Sequence, residues 1–325
     1  MRGLSVINQK VAWASGMKGT VIRTIDGEHW QDVSVAASDP QAATLDFRDI
    51  QGFDAMSAIA MSAGPGKAST LYKTTDGGVH WERLSVNSDE TGFWDAIDFW
   101  DARHGAVLGD PVDGQFKIML TEDGGKTWAA AKLKPKSDGK NGLEAQANEG
   151  AFAASGTCLI VQGKKVIRFV SGSAEHSRAF YSNDRGQTWA SSVTPVTAGA
   201  PPKGLFSIAF ADAKHGLAVG GDYQQAKGEG LNAVRTDDGG KTWTSAAALP
   251  KGFLSVVVNI PGQGKMYVAG GLGGLGLTRD QGKTWQVMSE IPVNSVAFAD
   301  TKIAWAVGPK GLLLRYLGPD LRKLK

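Results

Sequence analysis

A few charged and polar side chains of this 325-residue chain stand at positions that its own sequence does not repeat: Arg48, Asp95, Asp110, Asp113, Glu149, Asp222 and Tyr223. Carboxylates gathered at one mouth can bind sugar hydroxyls, a cation or a basic peptide. Asp95, Asp110, Glu149 and Asp222 can also supply an acid and a base. Glycoside hydrolysis needs two carboxyl groups roughly 5–9.5 Å apart across a cleft, and Asp95 with Glu149 is the pair to test first. A sialidase would further need three arginines converging on a substrate carboxylate, and only Arg48 is well placed. The plain structural alternative is that these groups cap strand ends or pair with one another and with Arg48. No Gly-x-Gly-x-x-Gly follows a strand to open a helix, and no metal-ligand cluster is visible, so neither cofactor nor metal is expected.

Most other aspartates repeat, and repetition marks structure. Thr74-Thr75-Asp76-Gly77-Gly78-Val79-His80-Trp81 recurs as Thr121 to Trp128, Ser182 to Trp189, Thr236 to Trp243 and Thr278 to Trp285. A sixth copy, Thr24 to Trp30, is one residue short, so its turn should be tighter or irregular. Asp26, Asp76, Asp123, Asp184, Asp238 and Asp280 hold one register; Trp30, Trp81, Trp128, Trp189, Trp243 and Trp285 hold another. Short Ser, Thr and Asp side chains accept hydrogen bonds from turn N–H groups, and the glycine that follows tolerates positive φ. The tryptophan then starts a strand and buries its ring beside the turn. A single active site needs no six copies, so these residues read as structural and should fill equivalent places.

The elements follow from the spacing. Successive tryptophans are 51, 47, 61, 54 and 42 residues apart, which suits one four-stranded blade per repeat. Phe206–Phe210, Gly216–Gly220 and Asn232–Thr236, with a fourth strand from Trp243, make one such blade. Ser295–Phe298, Ala304–Gly308 and Leu312–Tyr316 repeat its first three strands and lack the fourth. The reading is all-β: one seven-bladed β-propeller over residues 1–325, with blades at about 1–37, 38–88, 89–135, 136–195, 196–248, 249–289 and 290–325. The last blade is expected to be three-stranded, its missing strand having preceded residue 1.

The turn motif is the Asp-box, or BNR, repeat of sialidases, some glucanases and sortilin-type receptors. Asp46-Phe47-Arg48-Asp49-Ile50, Trp94 to Trp100, His104-Gly105, Gly109 to Gly114, Glu149 to Thr157 and Gly220 to Tyr223 make the chain similar to photosystem II stability/assembly-factor-like propellers. Bacterial versions often carry the label oxidoreductase or glycosyl hydrolase, and redox chemistry is not inferred from it. The resemblance implies a non-catalytic scaffold that holds a protein segment or small ligand at the channel mouth; a sialidase- or glucanase-like hydrolase is the alternative.

In a propeller the Asp-box turns share one rim with the loops between first and second strands. The opposite face carries the second-to-third-strand loops and the blade links, and by analogy of fold it is the functional face. There Gly16 to Gly19 and Gly308 to Gly311 are minimal, whereas Gly109 to Gln115, Gly220 to Gly230 and Lys132 to Gly150 are long and polar. Arg48, Asp95 and Glu149 fall near inner-strand starts and could point into the mouth. His104 and His215 occupy matching turns and read as structural. Arg23, Lys73, Tyr181, Arg235 and Arg315 share one strand register. Lys132, Lys134, Lys136 and Lys140 read as a solvated loop.

A net charge of +3 is too small to argue for nucleic acid. No apolar run approaches a membrane span. Cys158, the only cysteine, lies in an apolar stretch and reads as a buried thiol. A monomer is expected, with a protein or glycan ligand at the channel face. A periplasmic or secreted home fits a leader already removed; a cytosolic one is the alternative.

Overall fold

The computed structural model describes residues 1–228, 230–247 and 252–323. Seven antiparallel sheets follow one another along the chain, six of four strands and the last of three. Their inner strands are Gly3–Val6, Phe47–Gly52, Trp94–Phe99, Leu159–Gln162, Lys203–Phe210, Leu254–Asn259 and Ser295–Phe298. The fifth sheet runs Lys203–Phe210, Gly216–Asp222, Ala233–Thr236 and Thr244–Ser245, within a few residues of the sequence reading. The expected blade boundary at 248/249 and the last two residues of the seventh blade lie outside the described residues, as does Glu229 in the 220–230 loop.

The box turns form for the reason their residue types suggest. Thr121 Oγ1 accepts the Gly125 N–H at 2.9 Å and donates to Asp123 Oδ1. That oxygen also accepts the Thr127 N–H, while Oδ2 accepts the Thr127 hydroxyl at 2.7 Å. Gly124 and Gly125 turn at φ 74° and 85°, where a Cβ would strain the backbone. The short first copy closes one residue earlier: Thr24 Oγ1 accepts the Gly27 N–H. The tryptophans are less uniform than expected. Trp128, Trp189 and Trp243 donate to the carbonyl of their own box glycine. Trp81 instead reaches Val33 O of the preceding blade, and Trp30, behind the shortened turn, is only half buried.

Blades are joined by a belt of side-chain bonds near the channel. Ser5 Oγ accepts the Gly52 N–H, Asp49 Oδ2 that of Ile97, and Asp98 Oδ2 that of Val161. Thr157 and Ser207 share a hydroxyl bond of 2.6 Å, and Ser207 Oγ accepts the Val257 N–H. Ser255 donates to Asn294 O, and Asn294 Nδ2 donates to Met1 O, which completes the circle. All but the Thr157–Ser207 hydroxyl bond satisfy a backbone group.

The seventh sheet holds Ser295–Phe298, Ala304–Val307 and Leu313–Tyr316, with no fourth strand among the described residues. Its outer strand is tied to the first blade by Arg315, whose Nη1 lies 3.7 Å from Glu28. Among the described residues, no helix is long and apolar enough to cross a membrane.

Candidate functional site

Four inner strands carry a bulge at the same place, two residues into the strand or nearly so. Pairing skips Arg48 between Phe47 and Asp49, Asp95 between Trp94 and Ala96, Phe206 between Leu205 and Ser207, and Ser255 between Leu254 and Val256. A bulge re-aims the extra residue away from the ladder. Glycine on the neighbouring strand permits the close approach. A Cβ on Gly220 would lie 1.8 Å from Gly204 O, and one on Gly271 would lie 2.1 Å from Phe253 O. Three of the four bulge residues, Arg48, Asp95 and Phe206, line one cavity of about 600 Å³ at the channel mouth, on the face opposite the box turns.

One wall of this cavity is charged. Arg48 Nε donates to Asp46 Oδ2 at 2.8 Å, and Arg2 Nη1 donates to Ala154 O. Asp110 Oδ1 accepts the Ala151 N–H at 2.8 Å. Asp95 is only 1% exposed, and neither of its oxygens has a hydrogen-bond partner among the described residues. Burial pushes the Asp95 carboxyl well up; the neighbouring Asp110 charge adds to this and Arg48 opposes it. Burial likewise lifts Asp110 to about 6, against the Ala151 N–H bond.

The other wall is aromatic. Phe152 and Phe206 stack with centroids 3.8 Å apart, and Phe253 meets the Phe206 edge at 4.7 Å. Tyr223 packs edge-on to both Phe206 and Phe253 and stays 45% exposed. Such a wall offers apolar contact at small entropic cost.

Of the sequence candidates, the structure brings Arg48, Asp95, Asp110 and Tyr223 together. Asp113 lies elsewhere, in an exposed turn at φ 53°. Asp222 caps its own turn through the Gln224 N–H and borders a separate pocket of about 120 Å³ beside Lys203. Glu149 starts no inner strand. It is sealed by Arg178, the Ser171 hydroxyl and the Gln146 N–H, so Asp95 and Glu149 do not share the cavity. Asp46, Arg2 and the phenylalanines went unseen. The phenylalanines read as ordinary strand residues, and the glycines opposite the bulges were the available signal.

The residues set aside as structural are placed so. His104 and His215 hold Asp101 and Asp212 through Nδ1. Arg23 and Lys73 donate to backbone carbonyls of the next blade. Cys158 is buried, with its thiol pushed up by burial. The lysines at 132, 134, 136 and 140 are exposed.

A family model described as photosynthesis system II assembly factor YCF48 matches residues 223–317, and the BNR/Asp-box repeat matches residues 180–191. Photosystem II stability/assembly factor HCF136, chloroplastic, of Arabidopsis thaliana is 25% identical over 311 residues, covering 93% of this chain and 72% of the relative. Photosystem II assembly lipoprotein Ycf48 of Synechococcus sp. (strain CC9902) is 24% identical over 293 residues, covering 78% and 80%. A solved structure of YCF48 bound to D1 peptide aligns with TM-score 0.66 at 17% identity, over 98% of this chain and 93% of that one. YCF48 from Cyanidioschyzon merolae aligns with TM-score 0.63 at 16% identity, over 97% and 94%. The chain is an Asp-box seven-bladed propeller similar to these assembly factors.

Proposed function

We propose that this propeller is a non-catalytic scaffold that holds a segment of a partner protein in the cavity between the charged and aromatic walls. The observation that carries this reading is the cavity's two-sided chemistry: bulge-borne Arg48 and Asp95 face Phe152, Phe206 and Tyr223 across a space of about 600 Å³. An extended peptide presents alternating side chains that suit two unlike walls. The similarity to assembly factors, one of them solved with a D1 peptide, supports a protein segment as the ligand. The lipoprotein relative supports a working place outside the cytoplasm.

The test is a library of extended peptides titrated against the protein by fluorescence polarisation. Binding that falls about ten-fold or more in Tyr223→Ala supports the scaffold, since exposed aromatic anchors dominate such contacts. Hydrolysis would have to use Asp95 with Asp110, because Glu149 is sealed. Turnover of chromogenic glycosides that disappears in Asp95→Asn would overturn the scaffold reading.

A further inference from the structure

The Asp95 carboxyl group is buried, and neither of its oxygens has a hydrogen-bond partner among the described residues. The residue lines the cavity, with Arg48 beside it in the same lining. Arg48 is committed elsewhere: its Nε goes to Asp46 and its Nη1 leans on Ala153 O at 3.5 Å. Asp110, from the adjacent strand Gly105–Val112, has one oxygen bound to the Ala151 N–H, and that carboxyl also lines the cavity. Buried polar groups in native proteins are nearly always satisfied, and an orphan beside a cavity points to a donor arriving with a ligand.

A donor that brings several N–H groups and a positive charge draws the proton off Asp95 and satisfies both carboxyls at once. Neutral sugar hydroxyls can hydrogen-bond there but supply no charge to hold a buried carboxylate ionised. A hard metal ion wants six to eight oxygens, and among the described residues no group of three or more ligands could hold one. An ammonium offers three donors and a guanidinium five, both charged, and both matched to carboxylates. The stem of such a side chain is apolar and would lie along the aromatic wall, where Phe152 and Phe206 stack.

We propose that Asp95 and Asp110 form the seat for one lysine or arginine side chain of the bound segment, next to an apolar residue that packs on the Phe152–Phe206 wall. The inference rests on the reading of the cavity as a protein-segment site. It makes that site selective: a segment with a basic residue beside an aromatic one is taken, and one with an acidic residue there is refused.

Three probes test it: Ac-Phe-Arg-NH₂, Ac-Phe-Gln-NH₂ and Ac-Phe-Glu-NH₂, titrated into ¹⁵N-labelled protein and followed by amide shifts at the cavity. The arginine probe is expected to bind about ten-fold tighter than the glutamine probe, and the glutamate probe weakest. Asp95→Asn removes the arginine-over-glutamine preference; Asp110→Asn weakens it and serves if the first variant folds poorly. A preference that survives both variants overturns the proposal. Equal affinities for arginine and glutamine probes, both lost in Tyr223→Ala, overturn the seat and leave the segment site standing. Failure of every probe and of the extended peptides to shift any cavity amide overturns both.

Discussion

Aspartates do opposite things at the two faces of this ring. On the box rim, Asp76 accepts the His80 N–H and then its ring, and Asp123 accepts the Thr127 hydroxyl and N–H; both carboxyls are held down at about 2. At the channel mouth, burial lifts Asp95 and Asp110 instead, with few donors to oppose it. The side chain is the same, and the number of N–H and O–H groups aimed at it decides the outcome. Rim carboxylates are folded-state structure, complete within seven or eight residues of chain. Mouth carboxyls are held in place by blades that do not satisfy them, and that unmet demand is what a ligand can meet.

Four measurements would break or sharpen this contrast. The largest effect belongs to Glu149, a buried carboxylate that is fully satisfied. Glu149→Ala leaves Arg178 without its partner, and chemical denaturation should show a loss of about 3–5 kcal/mol. Next comes the pH profile. The folded state holds the Asp110 proton that the unfolded chain releases, so the stability this group contributes is present below about pH 4 and lost as pH rises through about 6. A shift from 3.8 to about 6 corresponds to about 3 kcal/mol, and Asp110→Asn should flatten the fall between about pH 4 and 7 by that amount. Asp95→Asn should be neutral at low pH and stabilising at high pH, since the folded state must keep on Asp95 a proton that the unfolded chain has released. The smallest effect is on the rim, where Asp184→Ala exposes turn N–H groups and should cost about 1 kcal/mol by thermal melts. If Asp95→Asn destabilises as Asp184→Ala does, the two faces are not different in kind.

The rim was legible because each box turn is local. Thr, Asp, Gly and Trp within eight residues contain most of the donors and acceptors the turn uses, so the count of blades and even the three-stranded seventh sheet could be read from spacing. The mouth was legible only in part. Arg48, Asp95, Asp110 and Tyr223, singled out because they do not repeat, line one cavity. Glu149 was misplaced because its partner, Arg178, lies 29 residues away in the third strand of the fourth sheet, a distance no local pattern spans. The aromatic wall was missed for a subtler reason. Phe206 sits in an apolar strand, and only the bulge turns it from the sheet into the cavity. The bulge leaves its trace in the partner strand, at Gly220 and Gly271, where a tight backbone approach excludes any Cβ.

The three-stranded last sheet has a kinetic consequence. Among the described residues, Leu313–Tyr316 pairs on one side only, with Ala304–Val307, while every other third strand is covered by a fourth. Its outward amides are open to solvent exchange without any opening of the ring. Among the described strands, the edge beside Arg315 and Glu28 is therefore where amide exchange should begin.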